Sequence, residues 1–180
     1  INQQKNLWKI YSISMKRQVL RKIMTKFQTT VSFSQAEDLN IKIQEASDDA
    51  SIFAIVVDMD SLKNRNDLYG HSEGDNGINL VAKAVSSITD DTEVCVRGGG
   101  DEFFVLGVGG YTEAQMKEKV SRFKGYLETA NETMNIPVEA SIGYSLMPLD
   151  RKDGFQIVLD KADAKMYEDK KSKKELKEKK

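Results

Sequence analysis

Short apolar runs alternate with amphipathic segments along most of this chain. Residues 51–59 (SIFAIVVDM) form a nearly continuous β-branched run, which is typical of a strand buried on both faces. Residues 92–97 (TEVCVR) and 102–109 (EFFVLGVG) predict two strands joined by a glycine turn, and residues 138–146 predict a fourth strand. The apolar runs therefore predict one small sheet.

Amphipathic helices are predicted between and around these strands. Apolar residues recur at helical spacing in residues 34–46, 74–88, 112–127 and 155–170. The first and third of these segments open on capping-box patterns, Ser34 with Glu37 and Thr112 with Gln115. The opening stretch of the chain predicts a further helix that enters the domain from upstream, and the polar stretch after Asp60 is predicted to be a loop.

The order of these elements indicates an α+β fold. From residue 51 it is strand, helix, strand, strand, helix, strand, helix, and the first six form the β-α-β-β-α-β of a ferredoxin-like core. The remaining helices flank that core at its two ends. The crossover rule places the first strand beside the hairpin, in the centre of the sheet. Asp58, at the end of the first strand, is therefore expected beside Asp101 and Glu102 in the hairpin turn.

Composition narrows the possible partners. The 180 residues suit one domain, and 27 basic against 28 acidic residues give a net charge of -1, which does not favour a nucleic-acid-binding surface. The single cysteine, Cys95, excludes an internal disulfide and suits the cytoplasm. No apolar run approaches the roughly 20 residues of a membrane helix, so no membrane insertion is expected of this stretch.

The three carboxylates expected at one sheet edge indicate a metal-dependent reaction. Carboxylates gathered without cations repel one another, and hard oxygen ligands of this kind suit Mg²⁺, which completes its shell with water and substrate phosphates. The glycines of residues 97–103 (RGGGDEF) allow the backbone to approach a ligand closely. Phosphoryl transfer is the chemistry that these features favour.

Two long motifs give the chain a family resemblance. Residues 97–103 (RGGGDEF) and 58–75 (DMDSLKNRNDLYGHSEGD) together resemble the GGDEF domain of diguanylate cyclases, which join two GTP molecules into cyclic di-GMP on a fold shared with polymerase palm domains. The resemblance covers residues 31–170. It leaves residues 1–30 as a linker or signalling helix and residues 171–180 as a charged tail.

The resemblance implies a set of site residues. It implies that Asp58, Asp101, Glu102 and the carbonyl of Met59 hold Mg²⁺ or Mn²⁺, and that Asp101 or Glu102 takes the proton of the attacking 3'-hydroxyl. It implies that Asn66 and Asp75 read guanine, although an Asn-Asp turn and a helix cap are alternatives. The other implied substrate contacts are Lys63, His71, Gly99, Gly100 and Lys170, with a solvated surface role open for Lys63 and a loop-fastening role open for His71.

The implied partners are GTP, a second GGDEF domain in a homodimer and an upstream sensory domain, in the cytoplasm or in the cytoplasmic part of a membrane-anchored protein. Two departures from the family pattern leave an alternative open. Residues 171–180 replace the usual Gly-Arg-Asn, so that only Lys174 could supply a second phosphate contact, and residues 22–33 lack the Asp, Asn and Arg of the family's N-terminal motif. The chain is predicted to be a diguanylate cyclase or a catalytically weak GTP-binding regulatory module, and a nucleic-acid-binding ferredoxin-like domain is disfavoured.

Overall fold

A computed structural model describes residue 39, residues 41–151 and residues 154–178 of the chain. Residues 41–45 are helical and precede the sheet. The elements that follow are β1 (Ser51–Met59), α1 (Leu62–Tyr69), α2 (His71–Ile88), β2 (Val94–Arg97), β3 (Glu102–Gly109), α3 (Glu113–Asn131), β4 (Ala140–Pro148) and α4 (Gly154–Glu178).

The four strands form one antiparallel sheet in the order β2-β3-β1-β4. This is the ferredoxin-like order, and it confirms the α+β prediction. The pairing of β1 with β3 sets Asp58 directly opposite Glu102. The pairing of β1 with β4 sets Asp58 opposite Ser141. The predicted meeting of the first strand's end with the hairpin turn is therefore confirmed.

Helices cover both faces of the sheet, so β1 is buried on both sides, as its continuous apolar run predicts. Ile52, Ala54 and Val56 face α4 and the helical segment before β1. Phe53, Ile55 and Val57 face α2 and α3. Because side chains alternate along a strand, Asp58 and Asp60 project to the α4 side of the sheet.

A glycine brings α4 against the sheet at backbone distance. A Cβ placed on Gly143 of β4 would lie 2.1 Å from the backbone nitrogen of Met166 and 2.4 Å from the carbonyl oxygen of Ala162. Both distances are far shorter than van der Waals contact, so only glycine permits this approach. The contact fixes how far α4 stands from β4.

Some sequence predictions differ from the structure. The stretch after Asp60, predicted to be a loop, contains α1, and the last helix continues past residue 170 to Glu178. The capping box of Thr112 and Gln115 is confirmed at the start of α3. The predicted N-terminal helix, the Ser34–Glu37 capping box and the family's N-terminal motif lie outside the described residues. No helix in the described part of the chain is long and apolar enough to cross a membrane.

Candidate active site

Acidic side chains meet where β1 ends and β3 begins. Asp58 is 8% exposed, and its strand partner Glu102 is half-buried. Asp101 lies in the preceding turn, and its carbonyl oxygen accepts a hydrogen bond from the backbone N–H of Met59 at 3.0 Å. The sheet register therefore brings the predicted Asp58, Met59, Asp101 and Glu102 to one edge.

The crowding of these acids alters their proton affinities. Burial raises the pKa of Asp58, and the nearby charges of Asp101 and Asp60 raise it further. Burial likewise raises the pKa of Glu102, with the charges of Asp58, Asp101 and Asp163 adding to the effect. Negative charge at this edge is thus costly for the protein alone, which is the electrostatic setting that a cation relieves.

Lys170 supplies positive charge to this edge from α4. Its Nζ donates a hydrogen bond to Asp58 Oδ1 at 2.5 Å. Burial by itself would lower the pKa of Lys170, but the hydrogen bond to Asp58 and the charges of Asp58, Asp60 and Asp101 outweigh burial and raise it. The ammonium group therefore stays charged and partly neutralises the acids.

A divalent cation fits the donor chemistry of this edge. Asp58 and Glu102 project side by side from paired strands, and carboxylate oxygens are the ligands that Mg²⁺ prefers. Within the described residues, no group of three or more His, Cys, Asp or Glu side chains is arranged to hold a metal ion.

The glycine turn between β2 and β3 is held by an arginine. Gly100 has a φ of 66°, a left-handed conformation that favours glycine, while Gly99 is exposed beside it. Arg97 Nη2 and Nε donate to the carbonyl oxygen of Gly100 at 2.8 and 3.2 Å. The arginine therefore fixes the turn that presents Asp101.

The residues expected to read guanine lie on α1 and α2. His71 and Asp75 are exposed in the first turns of α2, and Lys63 is exposed on α1. Because α2 begins at His71 with Gly70 as its N-cap, Asp75 is not a helix cap. Asn66 Oδ1 is buried and has no hydrogen-bond partner among the described residues. A buried, unpaired polar atom in the sequence motif is consistent with a ligand contact.

Arg65 is a structural residue that the sequence motifs do not reveal. It is 7% exposed, and its Nε donates to the carbonyl oxygen of Glu73 at 2.7 Å. Its two terminal nitrogens donate to the carbonyl oxygens of Pro137 and Ile136 at 3.0 and 3.2 Å. Arg65 thus ties α1 to α2 and to the segment before β4, and only the folded chain brings these acceptors together.

A lysine-lined cleft opens beside the acids. It has a volume of about 550 Å³ and lies between the last turns of α4 and the residues that follow β1. Its rim includes Asp60, Ser61, Lys170, Lys173 and Lys174. Lys173 and Ser141, which both bind Asp60, were not predicted from the sequence. Its lining also includes Glu139, Glu175 and Glu178, which pair with lysines of the cleft, so an anionic group would compete with these acids for the lysines.

A family model confirms the resemblance. The model described as "Diguanylate cyclase, GGDEF domain" matches residues 20–176.

Curated relatives carry both cyclase and phosphodiesterase names. The chain is 33% identical over 118 residues to diguanylate cyclase A of Treponema denticola, in a match that covers 64% of this chain and 32% of that protein. It is 31% identical over 123 residues to the cyclic di-GMP phosphodiesterase PdeR of Escherichia coli, covering 67% of this chain and 18% of that protein. The chain therefore spans a third or less of the length of these two relatives.

A solved structure shares the fold. The GGDEF domain of DgcB from Caulobacter crescentus, solved in complex with c-di-GMP, superposes with a TM-score of 0.64 at 20% sequence identity. The match covers 76% of this chain and 82% of that one. At this identity the likeness concerns the architecture of the sheet and its helices.

Proposed function

Since this chain belongs to the diguanylate cyclase GGDEF family, we propose that it condenses two GTP molecules into cyclic di-GMP. The observation that carries the proposal is the pairing of Asp58 with Glu102, which sets the acids of both family motifs side by side on the sheet. Acids at that edge suit phosphoryl transfer, in which a divalent cation held by carboxylates neutralises the negative charge of the reacting phosphates.

The phosphates of GTP lie between the acidic edge and the lysine-lined cleft. Asp58, Asp101, Glu102 and the carbonyl of Met59 would hold Mg²⁺ or Mn²⁺. The ion, when bound, supplies charge neutralisation at the α-phosphate and at the departing pyrophosphate.

Lys170 exchanges its hydrogen bond to Asp58 for one to a phosphate of GTP. Further hydrogen-bond donors to the phosphates come from Lys63, Lys174 and the backbone of Gly99 and Gly100. The Lys170–Asp58 ion pair supports this exchange, because its lysine already reaches the metal-binding edge.

Guanine lies against α1 and α2, on the opposite side of the sheet edge from α4. Asn66 and Asp75 hydrogen-bond its polar edge, and His71 contacts the nucleotide at the start of α2. The Asn66 side chain supports this assignment. Its Oδ1 lies against Gly74 of α2 without a hydrogen-bond partner among the described residues, so turning it toward the base would gain a hydrogen bond. GTP would thus cross from one helical layer to the other.

Each bond forms between two copies of the domain. The 3'-oxygen of one GTP attacks the α-phosphorus of the other, the bond to the β-phosphate breaks and pyrophosphate leaves. Asp101 or Glu102 takes the proton of the attacking hydroxyl. A second, equivalent step closes the ring, so two domains must face each other as a homodimer. An upstream sensory domain would control the formation of this homodimer, and the reaction would take place in the cytoplasm.

A second candidate function is a GTP-binding module that does not cyclise its ligand. Lys173 and Lys174 stand where the family has Gly-Arg, and Lys173 binds protein groups in this chain. PdeR, a relative named for phosphodiesterase activity, makes a non-cyclising module a realistic alternative.

Incubation of the protein with GTP and Mg²⁺ tests the two candidates. We expect cyclic dinucleotide and pyrophosphate to appear on a chromatogram, and both to disappear when EDTA is added. GTP that binds in the presence of Mg²⁺ but stays unconverted at high protein concentration would favour the regulatory module. Absence of both binding and turnover would contradict the proposed function.

A further inference from the structure

Asp60, the residue directly after β1, has both of its carboxylate oxygens in contact with protein groups. Ser141 Oγ lies 2.9 and 3.0 Å from its two carboxylate oxygens. Lys173 Nζ lies 3.6 Å from Asp60 Oδ2. The backbone N–H of Asp60 donates to the carbonyl oxygen of Glu139 at 2.8 Å. The Asp60 side chain is only 11% exposed. Asp60 is therefore fastened to β4 rather than turned toward solvent.

Lys173, on α4, contacts the same part of β4 as Asp60 does. Its Nζ donates to the carbonyl oxygen of Ala140 at 2.5 Å and lies 3.3 Å from Ser141 Oγ. Asp169, one turn earlier on α4, holds the same Nζ at 2.9 Å. The ammonium group thus bridges α4, β4 and Asp60. Lys170 differs, because its ion pair is with Asp58.

The residue after Asp60 adopts an unusual backbone conformation. Ser61 has φ 61° and ψ 29°, and among the described residues no other non-glycine residue has a positive φ. The left-handed region is strained for a serine, and such a conformation persists where its surroundings hold it. Asp60 on one side and α1 on the other provide those surroundings. The backbone N–H groups of residues 61–63 at the start of α1 are oriented by this turn.

We propose that Lys173 is a positioning residue for the loop of residues 60–63 and acts through Asp60 and Ser141. The loop is the one whose N–H groups would meet the GTP phosphates, so this inference rests on the proposed function. Lys173 sets the loop in its binding conformation before the nucleotide arrives. It does so without contacting a phosphate, because its donors are engaged by Ala140, Ser141 and the two aspartates.

Amide hydrogen exchange and calorimetry on matched variants test the proposal. Lys173→Met removes the charge and keeps the length, while Lys173→Arg retains the charge. Lys161→Met is the control, since Lys161 is exposed near the other end of α4. The N–H of Asp60 donates to Glu139 and that of Arg65 to Ser61, so these two amides report on the loop. We expect Lys173→Met to speed exchange at residues 60 and 65 about tenfold and to weaken binding of GTP with Mg²⁺ about tenfold. The Lys173→Arg and Lys161→Met variants should resemble the wild type. Unchanged exchange at residues 60 and 65 in Lys173→Met would overturn the proposal.

A double-mutant cycle separates positioning from direct phosphate contact. If Lys173 acts through Asp60, adding Lys173→Met to Asp60→Asn should weaken GTP binding little further. Full additivity of the two changes would mean that Lys173 binds phosphate itself, and would overturn the proposal. Ser141→Ala provides a second route should Lys173→Met fail to fold, because it removes the hydroxyl that holds Asp60. Faster exchange at residues 60 and 65 in that variant supports the proposal, and unchanged exchange contradicts it.

The exchange readout needs no ligand. A wild-type protein that fails to bind GTP with Mg²⁺ would refute the proposed function, whereas the exchange rates would still report whether Lys173 holds the loop.

Discussion

The two aspartates at the end of β1 have different surroundings, and we expect them to differ in function. Among the described residues, the Asp58 carboxylate pairs with Lys170, an exchangeable partner, while Asp60 is bound by Ser141 and Lys173. Asp58→Asn should abolish turnover and weaken metal-dependent GTP binding, because it removes a carboxylate ligand. Asp60→Asn should be milder and leave turnover measurable. Calorimetry with Mg²⁺ and with EDTA measures the difference, and equal GTP affinity of the wild type in the two conditions would contradict a metal site at Asp58.

Gly74 provides a test of base recognition. A Cβ at this position would lie 1.8 Å from Asn66 Oδ1, so Gly74→Ala should displace the Asn66 side chain. We expect the wild type to bind ATP about tenfold more weakly than GTP, a difference of about 1.4 kcal/mol, because a site built for polar edges rejects a base that lacks them. Gly74→Ala should remove most of this preference, as measured by competition binding.

Gly125→Ala is the matched control for that experiment. Gly125 lies within α3, where an added Cβ meets no atom within 4 Å. The variant should keep the preference for GTP and gain about 0.5–1 kcal/mol of stability from its higher helix propensity. An unchanged GTP preference in Gly74→Ala would mean that Asn66 does not read the base.

At the scale of elements, the sequence predicts those parts of the fold whose apolar patterns are regular. β1 reads as a doubly buried strand, and α2 has an apolar stripe that meets the sheet. The helix α1 has no such stripe, and its one fully buried residue is Arg65. Its position depends on acceptors near Glu73 and in residues 136–137, which only the tertiary structure supplies. The sequence therefore predicted a loop where α1 forms.

The same distinction applies to the candidate site. The meeting of Asp58 with the hairpin turn follows from the handedness of strand connections, so it was predictable. The roles of Lys173 and Ser141 were not, because the sequence alone does not give the rotation of α4 about its own axis relative to β4. That rotation decides which of several neighbouring lysines reaches Asp58 and which reaches Asp60.

The docking of α4 on β4 should depend on pH through Asp169. Lys173 and Lys124 lie 2.9 and 3.0 Å from its carboxylate, and the backbone N–H of Ile142 donates at 3.1 Å. Burial alone would raise the pKa of Asp169, but these hydrogen bonds outweigh burial and lower it below the ordinary 3.8. A depressed pKa contributes stability above the unfolded-state value, and this contribution is lost as the pH falls through the folded-state value.

Asp169→Asn should therefore lower the free energy of unfolding at pH 7 by about 0.5–1 kcal/mol, since both lysines are partly solvated. The difference from the wild type should shrink as the pH falls below the unfolded-state value, and it should disappear only below the depressed folded-state pKa of Asp169, where the carboxyl is protonated in both states. Urea denaturation at pH 7 and across acidic pH measures it. Glu168→Gln, at an exposed neighbouring position on α4, should show no comparable loss at any of these pH values. A loss that persists at low pH would show that charge is not the cause.

At the scale of the whole molecule, one domain offers one set of acids, while cyclic di-GMP has two phosphodiester bonds. In a monomeric sample, activity per molecule should therefore rise with protein concentration, because two domains must meet. A parallel coiled coil fused before residue 1 should raise activity further by increasing the effective concentration. Rates of pyrophosphate release across a dilution series measure both effects. A constant specific activity in a sample shown to be monomeric would contradict the facing-pair mechanism.

The close contact at Gly143 links β4 to the proposed phosphate site. The spacing between β4 and α4 is set there by backbone atoms, and α4 carries both Lys170 and Lys173. A single methyl group at this position would push the helix outward and shorten the reach of both lysines at once. Gly143 thus constrains nucleotide affinity from a distance: any side chain there must displace the backbone of α4, and both lysines with it, although Gly143 itself is not among the residues proposed to contact the nucleotide.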